Sequence, residues 1–268
     1  MLRLAKDGIF PVTRDADGKL LSHLPASGFG FPGTIQGEGK LSGIPSLFIR
    51  LAGCNLHCCW QNADGSISPC DTSYASYALQ DSSFCSLDEI CRIVRHNTEN
   101  AIDHLVLTGG EPFLQAEELT ELCIKLREIK RYHITVETNA TLYNESLAHQ
   151  IDLFSLSPKL SSSGFSSPHS RPTPSPDPIQ AFIAHARCGG KDFQLKFVYA
   201  CEPDIQEIKN LLSRLEGWKN EDILLMPLGS TLRELQENTR HTLRHCLLNG
   251  WRYCDRLHLS LFGAREGV

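Results

Sequence analysis

No apolar run in this 268-residue chain approaches the roughly 20 residues that a membrane-spanning helix requires. Nor does the N-terminus offer the apolar stretch of a secretory signal, because Lys6, Asp7, Arg14, Asp15 and Asp17 interrupt it. Basic residues are in deficit. Lys and Arg total 26 against 31 Asp and Glu, a formal net charge of -5, so no basic surplus exists to neutralise a phosphate backbone. These absences argue against a membrane or a nucleic acid as the main partner and for a small-molecule substrate. No internal repeat and no convincing second domain is found. Cysteine, by contrast, is plentiful, with eleven residues. A chain without a leader is expected in the cytoplasm, where thiols stay reduced. Some of the eleven should therefore serve a metal or react, and others should be inert and buried. Cys123, within a helical pattern, reads as the inert kind.

Residues 1–33 carry mixed charge and turn residues, end in ASGFGFPG, and read as an N-terminal arm or hairpin extension laid over the domain. From residue 34 onward, strands and helices alternate. Seven β-prone runs are candidate strands: 45–52, 104–108, 132–138, 152–157, 194–199, 222–227 and 256–262. Ser86 with Glu89, and Thr231 with Glu234, have the spacing of capping boxes that open helices. Leu119, Leu122, Leu126 and Ile129 recur at helical spacing, and Asp177–Pro178 can start a further helix. The Ser/Pro-rich stretch 161–178 between elements reads as a loop. This alternation predicts a mainly parallel α/β sheet. Seven strands are one short of a closed (β/α)8 barrel, so the expected fold is a partial, open (β/α) barrel with its ligand site at the strands' carboxyl ends.

The densest cysteine stretch is GCNLHCCWQNADGSISPCDT. Cys54 and Cys58 are spaced C-x3-C, and removing residues 61–69 would bring Cys70 to C-x2-C from Cys58. That spacing suits a three-thiolate [4Fe-4S] site with one iron left open. It also suits a structural zinc site, for which Cys54, Cys58, Cys59 and Cys70 could supply four thiols, with His57 as a substitute. Adjacent Cys58 and Cys59 compete for one position. The turn-forming composition of the insertion, with Asn62, Asp64–Gly65 and Pro69, lets it loop out.

A second motif, TGGEP (108–112), directly follows a candidate strand. Paired glycines there would let a ligand approach the backbone, and Glu111 could accept from an ammonium. Together with C-x3-C…C, this resembles the radical S-adenosylmethionine superfamily. The resemblance implies a cluster whose open iron binds the methionine moiety and whose electron cleaves the sulfonium to a 5′-deoxyadenosyl radical. It narrows further. TIQGEGKLSGIPSLFIRLAGCNLHC, CDT, TGGEP, ETNAT, SLSPKLSSS and RLHLSLFGAREGV occur in this order. They resemble the signature blocks of the 7-carboxy-7-deazaguanine synthase family, from about residue 34 to the C-terminus.

The resemblance implies a core domain over residues 34–268 with a cluster-loop insertion at 61–69. It implies that 6-carboxy-5,6,7,8-tetrahydropterin is rearranged to 7-carboxy-7-deazaguanine with release of ammonia, assisted by Mg2+, and that S-adenosylmethionine is regenerated. The product belongs to queuosine and 7-deazapurine biosynthesis. An external electron donor such as flavodoxin and a homodimeric state are implied too. By the same resemblance, Cys54, Cys58 and Cys70 hold the cluster and Thr72 gives an oxygen to Mg2+. Ile35, Gln36, Gly37, Glu38, Arg50, Thr108, His258 and Val268, the last through its terminal carboxylate, meet the substrate. Gly110, Glu111, Ser157, Pro158, Lys159, Met226, Pro227, Leu228 and Gly229 meet the cofactor. No side chain is assigned a catalytic role, the radical chemistry being the cofactor's. Two departures stand out: the insertion, and Ala140 where the family has glycine, a methyl that matters only if φ there is positive. A radical enzyme acting on a protein glycine, and a zinc-stabilised interaction domain, are the competing readings.

Overall fold

This computed structural model describes residues 1–61, 65–99, 101–164, 174–265 and 267–268. Its twelve strands are β1 (Leu2–Phe10), β2 (Thr34–Ile35), β3 (Pro45–Leu51), β4 (Cys59–Gln61), β5 (Ile67–Pro69), β6 (Ser83–Cys85), β7 (His104–Gly109), β8 (His133–Thr138), β9 (Leu153–Leu156), β10 (Asp192–Tyr199), β11 (Ile223–Pro227) and β12 (Arg252–Tyr253). The main sheet runs β12-β11-β10-β9-β8-β7-β3-β1-β6. From β3 to β12 every pairing is parallel, whereas β1 and β2 pair antiparallel with β3, and β6 pairs antiparallel with β1. The sheet does not close on itself, as the open-barrel expectation requires. Residues 2–10, within the N-terminal arm, contribute β1 to this sheet between β3 and β6.

Side chains alternate across each strand, so one sheet face packs on the helices and the other looks into the barrel. The outward set is apolar and buried: Leu47, Ile49 and Leu51, Leu105 and Leu107, Ile134 and Val136, Phe193, Leu195 and Phe197. They meet the helices Leu87–Thr98, Ala116–Ile129, Pro176–Gly189 and Glu202–Leu212 in one core. The inward set is mixed. At the strands' amino ends, His104 Nδ1 meets Ser46 Oγ and its Nε2 meets Thr135 Oγ1, both at 2.7 Å. Nearer the carboxyl ends, Arg50, Thr108, Glu137 and Lys196 line a cavity. The segment Gln36–Lys40 crosses the interior: Lys40 N donates to Gln194 Oε1 at 2.7 Å, and Lys40 Nζ reaches Asp222 Oδ1 at 2.9 Å.

Burial pushes the His104 imidazole down from 6.5 to about 4. The folded state thus holds it neutral while the unfolded chain protonates it. Its contribution is complete above 6.5 and is lost as pH falls from 6.5 to about 4, worth up to about 3 kcal/mol. Urea denaturation across this window should show that slope, and His104→Gln should flatten it.

One of the two capping boxes forms in full: Thr231 and Glu234 cap each other reciprocally, whereas at Ser86 only half is present, Ser86 Oγ accepting from Glu89 N. The helix expected at Asp177–Pro178 starts slightly earlier, with Ser175 as N-cap and Pro176 in the first turn. Of the loop 161–178, residues 165–173 lie outside the described residues, as do 62–64 of the insertion. The rest of the insertion forms the hairpin β4–β5. Cys123 is fully buried within its helix, as read from the sequence. One strand expectation fails: RLHLSLF is a helix, Leu257–Phe262, and the seventh parallel strand is the short β12 just before it. Its alternating leucines mimic a strand. However, Leu257 N donates to Gly37 O and Arg256 is tied to three segments, and these anchors override the local pattern. Among the described residues, no helix is long and apolar enough to cross a membrane.

Candidate active site

A cavity of about 420 Å³ opens at the carboxyl ends of the parallel strands. Ligand pockets typically fall in this size range. Cys54, Cys58, Cys70 and Thr72 line one part of its wall, and Ile35, Gln36, Gly37, Glu38, Arg50, Thr108, His258 and Val268 another. Gly110, Ser157, Lys159, Met226, Pro227, Leu228 and Gly229 complete it. Two expected residues, Glu111 and Pro158, are absent from the lining.

Glu111 is fully buried, and its carboxylate accepts from Phe113 N at 3.0 Å, Thr138 Oγ1 at 2.7 Å and Asn139 N at 2.8 Å. It therefore ties the turn after β7 to the turn after β8. The glycine pair, which lines the cavity, also has a packing role that the sequence reading did not include. Gly110 N donates to Leu51 O at 3.1 Å and Glu111 N to Gly53 O at 2.7 Å. A Cβ on either glycine would overlap the backbone of Leu51 or Gly53. The pair seats TGGEP against the segment leading into Cys54 and so fixes where the cysteine loop begins.

In that loop, Leu56 N donates to Cys54 Sγ at 3.4 Å, and Cys70 Sγ lies 3.5 Å from Thr72 Oγ1 and 3.7 Å from Ser76 Oγ. The hairpin brings Cys70 N to Cys58 O at 3.0 Å. Cys58 and Trp60 face the cavity, while the intervening Cys59 does not line it. Burial pushes the Cys58 thiol up to about 11 and raises Cys54 as well. Among the described residues, no three His, Cys, Asp or Glu converge closely enough to hold a single metal ion.

Charges are concentrated at Glu38. Lys196 Nζ bonds its Oε2, Arg256 Nε bonds its Oε1 at 3.0 Å, and Arg256 also reaches Gly229 O at 2.7 Å and Asp71 Oδ2 at 2.6 Å. Burial would raise the Glu38 pKa, but Lys196, Arg256 and His258 outweigh it and hold the carboxyl well below the usual range. Burial lowers the His258 pKa, and Arg256 adds to this against the pull of Glu38. The sequence reading missed Lys196, Arg256, Asp71 and Glu137. Glu137 lines the cavity and accepts from Gln36 Nε2 at 3.2 Å and Thr108 Oγ1 at 2.7 Å. Its signal was the quoted ETNAT block, and Arg256 stood in RLH.

Ala140 has φ +59, the only positive value among the described non-glycine residues. Left-handed backbone costs a residue with a Cβ about 1–2 kcal/mol. Ala140→Gly should stabilise the protein by about 1 kcal/mol and raise Tm by roughly 2–4 °C in a calorimetric scan.

The Radical SAM superfamily profile matches residues 48–186, the class that this open parallel barrel and its three-thiol cavity define. The 7-carboxy-7-deazaguanine synthase of Halobacterium salinarum is 36% identical over 248 residues, covering 85% of this chain and 87% of the relative. That of Rhodopirellula baltica is 30% identical over 240 residues, covering 87% and 85%. The crystal structure of QueE from Escherichia coli superposes with a TM-score of 0.63 at 22% identity, covering 93% of this chain and 95% of that one, and shares the fold. The chain belongs to the 7-carboxy-7-deazaguanine synthase family of radical SAM enzymes. Neither competing reading is favoured by these relatives.

The superfamily implies a [4Fe-4S] cluster and S-adenosylmethionine. The residues present fit them. Three thiols share one cavity wall, an amide N–H points at Cys54 Sγ, and hydroxyls flank Cys70 Sγ. Hydrogen-bond partners of this kind partly offset the burial that raises Cys54 and Cys58, and they would support thiolates once a cation binds.

Proposed function

We propose that this enzyme converts 6-carboxy-5,6,7,8-tetrahydropterin to 7-carboxy-7-deazaguanine with loss of ammonia, in queuosine or another 7-deazapurine pathway. The observation that carries the reading is convergence: the three thiols, the QGE segment, Arg50, Thr108 and His258 all face one cavity. Cys54, Cys58 and Cys70 hold the cluster. Gly110, Ser157, Lys159 and the stretch Met226–Gly229 line the cofactor's side. When bound, cluster and cofactor would supply one-electron reductive chemistry able to abstract a hydrogen atom from the substrate, at C6 by this reading.

The protein's own part is binding and orientation. Each Glu38 oxygen already has a cationic partner, yet a carboxylate oxygen can accept a second hydrogen bond, so Glu38 still offers acceptors to an amino-pyrimidine edge. Gln36, Thr108 and Glu137 form one hydrogen-bonded set beside it, and Val268 closes the cavity on the C-terminal side. The Thr72 hydroxyl, with a substrate carboxylate and water, would give Mg2+ the all-oxygen shell it prefers. The core spans 34–268 with an insertion at 61–69 and an extension at 1–33. A homodimer, an external donor of the flavodoxin kind and a cytoplasmic location go with this reading. Eleven free thiols and an oxygen-sensitive cluster suit a reducing compartment.

The test is anaerobic turnover by reconstituted protein with Mg2+. Product and ammonia should form one to one, with many turnovers per S-adenosylmethionine consumed. An intact cluster without product refutes the reading, and consumption that depends on a partner protein would favour a protein-activating enzyme. Thr72→Val should raise the Mg2+ concentration needed for half-maximal rate by about tenfold or more, with iron content unchanged.

A further inference from the structure

Arg50 sits at the cavity edge on β3, directly opposite an irregularity in β1. The register passes from Leu4↔Leu51 to Ile9↔Ile49, so four residues of β1, 5–8, lie opposite the single residue Arg50 of β3. Gly8, at φ +50, lies within this bulge. Bulges beside functional sites re-aim a side chain, and the one re-aimed here is Asp7. Its Oδ2 accepts from Arg50 Nε at 2.8 Å and from Tyr74 OH at 3.0 Å. The guanidinium carbon lies 4.8 Å from the Phe10 ring centroid and 5.8 Å from that of Tyr74. Arg50 is thus held at Nε and between two rings, and its two Nη groups have no hydrogen-bond partner among the described residues. Asp7 Oδ1 is buried without a partner among them too. A fold ordinarily avoids such a group, at about 1–3 kcal/mol, unless the carboxylate serves another purpose.

We propose that Asp7 is a positioning residue: it fixes the Arg50 guanidinium so that the Nη1–Nη2 edge faces the cavity as a fork for the substrate's carboxylate. This rests on the proposed pterin reaction, and it gives the N-terminal strand a part in substrate recognition. A planar fork takes a carboxylate through two parallel bonds only when its plane is set in advance.

The experiment measures steady-state kinetics of reconstituted wild type, Asp7→Ala, Arg50→Gln and the double variant, with iron content and melting temperature for each. Asp7→Ala should raise the substrate KM about 10–100-fold, leaving iron content and the KM for S-adenosylmethionine within twofold. In the Arg50→Gln background it should add almost nothing, because the two act as a unit. Asp7→Glu, which restores the charge, should recover part of the loss. A merely structural aspartate would shift both KM values together with the melting temperature. An unchanged substrate KM in Asp7→Ala, or full additivity in the double variant, overturns the inference while wild-type turnover leaves the reaction assignment standing. If wild type makes no product, both fall.

Discussion

Cys58→Ala protein, reconstituted anaerobically with iron and sulfide, should retain little iron and no measurable turnover, while Cys59→Ala should keep both. Adjacent residues of an extended chain point to opposite sides, so only one of these thiols can face a given cavity. Cys58 and Trp60 line it. Cys59 lies between them on β4, pairs with Pro69 and bridges to Gly164, which places its side chain in packed protein. Its replacement costs only a small core deletion, about 1 kcal/mol. The contrary pattern, iron lost from Cys59→Ala and kept by Cys58→Ala, would reverse the assignment. Iron and sulfide analysis beside turnover reads it out.

Glu38→Gln should be the most damaging conservative change at the substrate side. Its side-chain exposure is 14%, and those of its partners Lys196 and Arg256 are 7% and 11%. Removing the carboxylate charge leaves the Lys196 ammonium without its ion-pair partner nearly out of water, while Arg256 keeps only Asp71. Breaking a buried pair in this way costs about 3–5 kcal/mol. Chemical denaturation should show that loss, and kcat/KM should fall with it through KM. Lys196→Met should cost less, since Glu38 keeps Arg256 as a counter-ion. Equal stability of Glu38→Gln and wild type would mean that the network is not what fixes the QGE segment.

The parallel strands were legible because their outward faces repeat apolar residues in short, bounded runs, as in HLVLT and QLKFVY. The cysteine set, QGE and TGGEP were legible as motifs, and their convergence followed from the rule that open α/β sheets bind ligands at strand ends. Two kinds of information were hidden. Strand β1 was masked by Lys6-Asp7-Gly8, which breaks alternation because the strand bulges there. RLHLSLF alternates like a strand yet is a helix, since anchors at Gly37, Glu38, Asp71 and Gly229 decide it, and these are remote in sequence. The same remoteness hid Lys196 and Arg256, whose place in the site comes from the partner each meets across the barrel. Glu111 shows the converse. A motif residue that reads as a ligand has its carboxylate engaged as a brace joining two turns, a structural role that no local pattern announces.

The most direct measurement of the central claim uses substrate deuterated at C6 with reconstituted enzyme under anaerobic turnover. If the radical removes that hydrogen and S-adenosylmethionine is regenerated afterward, recovered S-adenosylmethionine should carry deuterium at its 5′ carbon while product accumulates over many turnovers. Product formed with no deuterium in the recovered cofactor, or deuterium retained wholly in an unchanged substrate, would contradict the account.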